Sequence, residues 1–161
     1  ESVHPKTSVI SLIRPKPDKP KKPNKGGLTA KDFVLSYKEY GGALSAIADA
    51  GLVGADGIAV GPMNKDGTID IHKLKGMLSI AKGYKLSVTF FRSFDLIKDR
   101  AEAIQKLTEL GITRILSASS EGWGINPIEQ RLIILRKDIQ ECQSAAVTNL
   151  SCNRNTKQQS T

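Results

Sequence analysis

Two charged side chains stand where a strand should end. Arg92 and Asp95 follow residues 85–90, where Leu86, Val88 and Phe90 alternate with Ser87 and Thr89 in a run rich in β-branched and aromatic residues. Another cation, Arg14, closes the apolar run at residues 8–13, and Lys16 lies two residues further on. Fixed cations at strand ends can hold a carboxylate or a phosphate, and Asp95 is spaced to orient Arg92. Asp95 also has a purely structural reading, as the N-cap of a helix starting at Leu96. No Ser–His–Asp set, P-loop or G-x-G-x-x-G is present, and Asp56, Asp66 and Asp70 fall around turns, where Asp is common. No catalytic residue is therefore named.

The elements that must position these cations alternate. The strand at residues 8–13 stops at Arg14-Pro15, because proline has no N–H for a ladder. Residues 15–27 are rich in Pro and Lys and read as a long, extended loop. A helix is expected from Leu28, with Thr29 as N-cap and Asp32 in the capping-box position. Gly41-Gly42 threatens to interrupt it before Leu44, Ile47 and Ala48 resume the pattern, and Gly51 is placed as its C′ residue. A second strand spans residues 56–61, with a turn at Asp66-Gly67. Asp70 caps a helix with the stripe Leu74, Met77, Leu78 and Ala81, stopped by Gly83. After the strand at 85–90 comes a helix over about 96–110, stopped by Gly111, and then a strand at 112–116. Asn126-Pro127 opens another helix, and residues 145–148 are a candidate fifth strand. Alternating βα units predict an α/β fold with parallel strands and right-handed crossovers, whose working face lies at the strand C-termini.

The 161 residues suffice for one domain with a core. Four or five units fall short of a (β/α)₈ barrel, which takes about 250 residues. The chain thus forms an open sheet, part of a barrel, or a half that a second copy completes. The first 31 residues carry +6 of the net charge of +8. That basic segment is read as a solvated loop; no aromatic residue lies among its lysines, and nucleic-acid binding is not expected. Cys142 and Cys152 have neither disulfide-framework nor zinc spacing. They suggest a reducing compartment, the cytoplasm with the nucleus also open. No run approaches the ~18 apolar residues of a membrane span.

Four blocks resemble one family. Thr89-Phe90-Phe91-Arg92-Ser93-Phe94-Asp95 resembles the T-F-H-R-A-F-D motif of the CutC copper-homeostasis family. Leu12-Ile13-Arg14-Pro15-Lys16 is similar to the end of its H-P-I-I-R-P-R. Residues 57–61 with 66–70 resemble V-x-G-x-L-x-x-D-G-x-(V/I)-D, and residues 109–117 resemble A-E-L-G-(I/F)-x-R-(I/V)-L-T-S. The resemblance covers about residues 8–117 and implies a partial TIM (β/α) barrel carrying strands two to five. On that reading residues 1–7 are an N-terminal tail, 8–148 the partial barrel with its Pro/Lys-rich loop at 15–27, and 149–161 a disordered polar tail.

The resemblance implies copper homeostasis through binding of copper, as Cu(I), rather than catalysis. It also sets Arg14 and Arg92 on neighbouring parts of the barrel mouth, with Lys16 and Asp95 close by. Two family histidines are replaced, by Ile10 and Phe91, and Lys16 replaces an arginine, losing the planar fork. Cu(I) prefers thiolate, thioether or imidazole. Cys142 and Cys152 are the weak metal candidates. Met77 reads as core, His72 as surface and His4 as tail. The competing readings are a TIM-barrel enzyme or small-anion binder using Arg14, Lys16 and Arg92, and a truncated, inactive homologue.

Overall fold

The computed structural model describes residues 7–14, 27–119 and 128–144. Four strands, β1 (Ile10–Leu12), β2 (Gly57–Val60), β3 (Ser87–Phe90) and β4 (Arg114–Ile115), form one sheet in the order β1-β2-β3-β4. Every pairing is parallel, with Ile10 opposite Gly57, Gly57 opposite Ser87 and Thr89 opposite Arg114. Between and after the strands lie helices α1 (Tyr37–Leu52), α2 (Ile71–Gly83), α3 (Arg100–Glu109) and α4 (Ile128–Ser144). This is the expected α/β alternation, and among the described residues the sheet does not close.

The core forms where the helices meet one face of the sheet. Ile58, Val60 and Phe90 are buried there with Ile47 of α1, Leu74 and Met77 of α2, and Ile104 and Leu107 of α3. Burying each of the larger side chains stabilises the fold by about 1.5–3 kcal/mol. The register gives the opposite face to Leu12, Ala59, Ser87, Thr89 and Arg114, and of these Leu12 and Ser87 are exposed.

Three local expectations are corrected. The segment after Leu28 is a 3₁₀ turn, Ala30–Phe33, not the start of a long helix, although the Asp32 carboxylate does accept the Thr29 N–H at 2.8 Å. The helix proper starts at Tyr37, where Ser36 and Glu39 form a reciprocal capping box, and it runs unbroken through Gly41-Gly42. Each glycine costs a helix about 1 kcal/mol, but Ala43, Ile47 and Ala50 are buried on the inner face and hold the segment. The left-handed residue beyond α1 is Gly54, at φ +83°, rather than Gly51, which lies inside the helix. The third correction concerns Asp95: α3 is capped by Asp99, which accepts the Glu102 N–H at 3.0 Å, and Asp95 lies earlier, in a 3₁₀ turn over Arg92–Leu96.

Asp70 caps α2 as expected, accepting the Lys73 N–H at 3.0 Å. Met77 is core and His72 is exposed. The stretches 1–6, 15–26 and 145–161 lie outside the described residues, and with them Lys16, Cys152, most of the Pro/Lys loop and the candidate fifth strand. The Asn126-Pro127 helix start lies outside them as well.

Candidate functional site at the sheet mouth

The backbone ladder runs one residue past each strand. Ile13 N–H donates to Ala59 at 2.9 Å, Phe91 N–H to Val60 at 2.9 Å and Leu116 N–H to Phe90 at 2.7 Å. Arg14, Gly61, Arg92 and Ser117 therefore emerge at the same C-terminal lip. Gly61 permits a close approach here: a Cβ on it would fall 2.2 Å from Ser93 Oγ and 2.4 Å from the Phe91 ring.

Asp95 is the hub of the lip. Its side chain has no exposure to solvent. Arg92 Nε donates to it at 3.2 Å, the Ser117 hydroxyl at 2.6 Å and the Ala118 N–H at 3.0 Å. A second guanidinium, Arg100, stands 3.8 Å away. A buried carboxylate needs such partners, because each lone pair left bare in a low dielectric is costly. Ser117 in turn accepts the Ser119 N–H at 2.8 Å, and Ser119 is held at φ 54°. The turn after β3 and the loop after β4 are thus joined through one carboxylate.

Arg100 extends the network outward. It donates to Asp138 of α4 at 2.6 Å and its guanidinium lies 5.2 Å from the centre of the Phe94 ring. Burial pushes the Asp138 carboxyl above its ordinary pKa, the Arg100 charge opposing and the Asp95 and Glu141 charges adding.

On the other side, Arg14 stands over the Phe33 ring at 5.6 Å, and Phe33 meets Phe91 edge-on with centroids 5.2 Å apart. The 3₁₀ turn carrying Phe33 is fixed over the lip by Met63 N–H donating to the Phe33 carbonyl at 3.1 Å. The two expected arginines thus share one rim, joined through an aromatic pair, and Arg92 is oriented by Asp95 as its spacing suggests. A small cavity of about 70 Å³ lies beside them, lined by Arg14, Phe33, Gly61, Pro62 and Phe91 among others.

Reading the sequence missed Ser117, Arg100 and Asp138. Arg100 and Asp138 are 38 residues apart, and no local pattern marks such a pair.

Among the described residues soft metal donors are not gathered. Among the described residues no group of three or more His, Cys, Asp or Glu side chains is placed to hold a metal ion. Met63 and Met77 are packed in the core. Cys142 belongs to α4, but its side chain is not among those described, and Cys152 lies outside the described residues.

Comparison with known proteins gives a consistent result. The sequence model of the CutC family matches residues 5–137. A CutC family protein of Bacteroides fragilis is 34% identical over 127 residues, covering 78% of this chain and 48% of the relative. The human copper homeostasis protein cutC homolog is 34% identical over the same length, with 41% of it covered. The chain spans less than half the length of these curated relatives. A crystal structure described as a copper homeostasis protein CutC from Streptococcus agalactiae superposes with a TM-score of 0.69 at 24% identity, covering 86% of this chain and 59% of that one.

Proposed function

This chain belongs to the CutC family, and from that premise we propose that it serves copper homeostasis, the process for which its human relative is named. The residues described do not fit a Cu(I) site, since the thioethers are buried and the one described imidazole, His72, is exposed. Cys142 and Cys152 remain the weak candidates to hold a copper ion. Cu(I) competition against a chromogenic chelator, repeated on Cys142→Ser with Cys152→Ser, tests that; no uptake by the parent chain would sink it.

The chemistry that the lip itself favours is capture of a small anion by Arg14 and Arg92, with Lys16 two residues beyond Arg14 as a third cation. The observation that carries this is the buried Asp95 carboxylate fixing Arg92 through Nε, because a pre-oriented guanidinium binds a carboxylate or phosphate with less ordering cost. We read the role as binding rather than catalysis; the Asp95 carboxylate is taken up by its donors, while Asp32 and Glu39 also line the cavity beside Arg14. We place the protein in the cytoplasm on its cysteine usage; no helix among the described residues is long and apolar enough to cross a membrane. Inorganic phosphate should raise Tm in the parent chain and not in Arg92→Ala. An equal rise in both would rule the site out.

A further inference from the structure

We propose that the cavity beside Arg14 takes a small zwitterionic amino acid, with its carboxylate on Arg14 and its ammonium on Asp32 and Glu39. This rests on the reading of Arg14 as an anion-holding residue, and narrows the anion to one that carries its own cation. Charges of both signs line the cavity: Arg14 on one hand, Asp32 and Glu39 on the other, with Phe33, Phe91 and Met77 among its apolar residues. Arg14 is placed by its stacking over the Phe33 ring at 5.6 Å. Among the described residues no ion pair joins Arg14 to either acid. A ligand with both charges bridges what the side chains themselves do not.

Local structure holds both acids in place. Asp32 Oδ2 accepts the Thr29 N–H at 2.8 Å and the Thr29 hydroxyl at 3.0 Å. Glu39 Oε2 accepts the Ser36 N–H at 2.7 Å. A carboxylate can accept about four hydrogen bonds, so one that caps a turn or a helix can also meet an ammonium. Both acids are half-buried, where a charge–charge contact is screened less than in open water. Size sets the class of ligand. The cavity holds about 70 Å³, and a water needs about 10–15 Å³, so about five to seven non-hydrogen atoms fit. Glycine, alanine and serine are of that size. A phosphate held by Arg14 and Arg92 stays outside, because in the cavity it would face two carboxylates and an apolar wall.

Isothermal titration calorimetry of the chain tests this, with L-alanine, propionate, ethylammonium and inorganic phosphate as titrants. L-Alanine should bind at least about tenfold more tightly than propionate or ethylammonium, each of which lacks one charge-assisted contact. Asp32→Asn with Glu39→Gln keeps an acceptor at both caps. That variant should lose about tenfold in affinity for alanine and bind propionate at least as tightly as the parent chain. Arg14→Gln should weaken both ligands. Alanine bound no more tightly than propionate, or bound equally by the parent and the double variant, would overturn the proposal. Phosphate binding without alanine binding would overturn it too and leave the anion reading standing, whereas binding of neither would remove both.

Discussion

Ser117, on the loop leaving β4, donates its hydroxyl to the carboxylate of Asp95 at 2.6 Å, across 22 residues of chain. That bond and the adjacent Ala118 N–H turn a local Arg92–Asp95 pair into the seal between two neighbouring strand ends.

Asp95→Ala strips the seal of its acceptor and leaves Arg92 and the Ser117 hydroxyl facing a cavity. Breaking one side of a buried, hydrogen-bonded pair costs about 3–5 kcal/mol. Ser117→Ala, which removes one donor of several, should cost about 1 kcal/mol. Urea denaturation of both variants checks the ranking; equal losses would show that the carboxylate is not the hub.

Gly61→Ala and Gly41→Ala should move stability in opposite directions. At position 61 the added methyl meets Ser93 Oγ and the Phe91 ring, an overpacking that costs about 1–3 kcal/mol. At position 41, in the middle of α1, nothing lies within 4 Å of the new Cβ. Alanine there should stabilise by about 1 kcal/mol through helix propensity. Thermal melts of the two variants against the parent decide it.

Stability should respond to pH through two carboxyls of opposite sense. Burial holds Asp138 above its ordinary value, so the folded chain binds that proton more tightly than the unfolded chain. Its contribution is full below the ordinary carboxylate range, at about pH 4, and is lost as pH rises through the raised folded value. Burial pulls Asp70 upward too, but the Lys73 ammonium and N–H outweigh it and leave that carboxyl lowered. Asp70 therefore contributes above the ordinary range and loses its contribution as pH falls. Asp138→Asn should gain on the parent as pH rises from about 4 towards 7. Melting curves that differ by a constant across that range would refute the assignment.

Phe91→His restores the residue type that the family motif carries at this position, at a cost here. Phe91 is 7% exposed and packed edge-on against Phe33. An imidazole would place polar nitrogens against apolar neighbours, at a loss of about 1–3 kcal/mol. A variant as stable as the parent would mean that the Phe33–Phe91 contact contributes little.

Period and punctuation made the fold readable from the sequence. Four apolar runs ending in Arg, Gly or Ser, separated by stripes such as Leu74, Met77 and Ala81, specify parallel βα units, and the structure has them. The Arg92–Asp95 pair was equally legible, because three residues on a tight turn are neighbours. Two kinds of information were not. Gly41-Gly42 looks like a breaker until burial of Ala43, Ile47 and Ala50 overrides propensity. The partners Ser117, Arg100 and Asp138 are joined by topology alone, which no spacing rule encodes.

The strand order has a consequence for how the chain is made. Among the described residues each strand pairs only with those before and after it in sequence. A chain leaving the ribosome can therefore lay each βα unit onto a finished edge without waiting for distant segments. The carboxylate of Asp95 is the exception. Until Ser117 and Ala118 emerge it lacks two of its donors, and until α4 emerges Arg100 lacks Asp138. Among the described elements the lip is thus the last to set, and slow translation beyond α4 would give it time to do so.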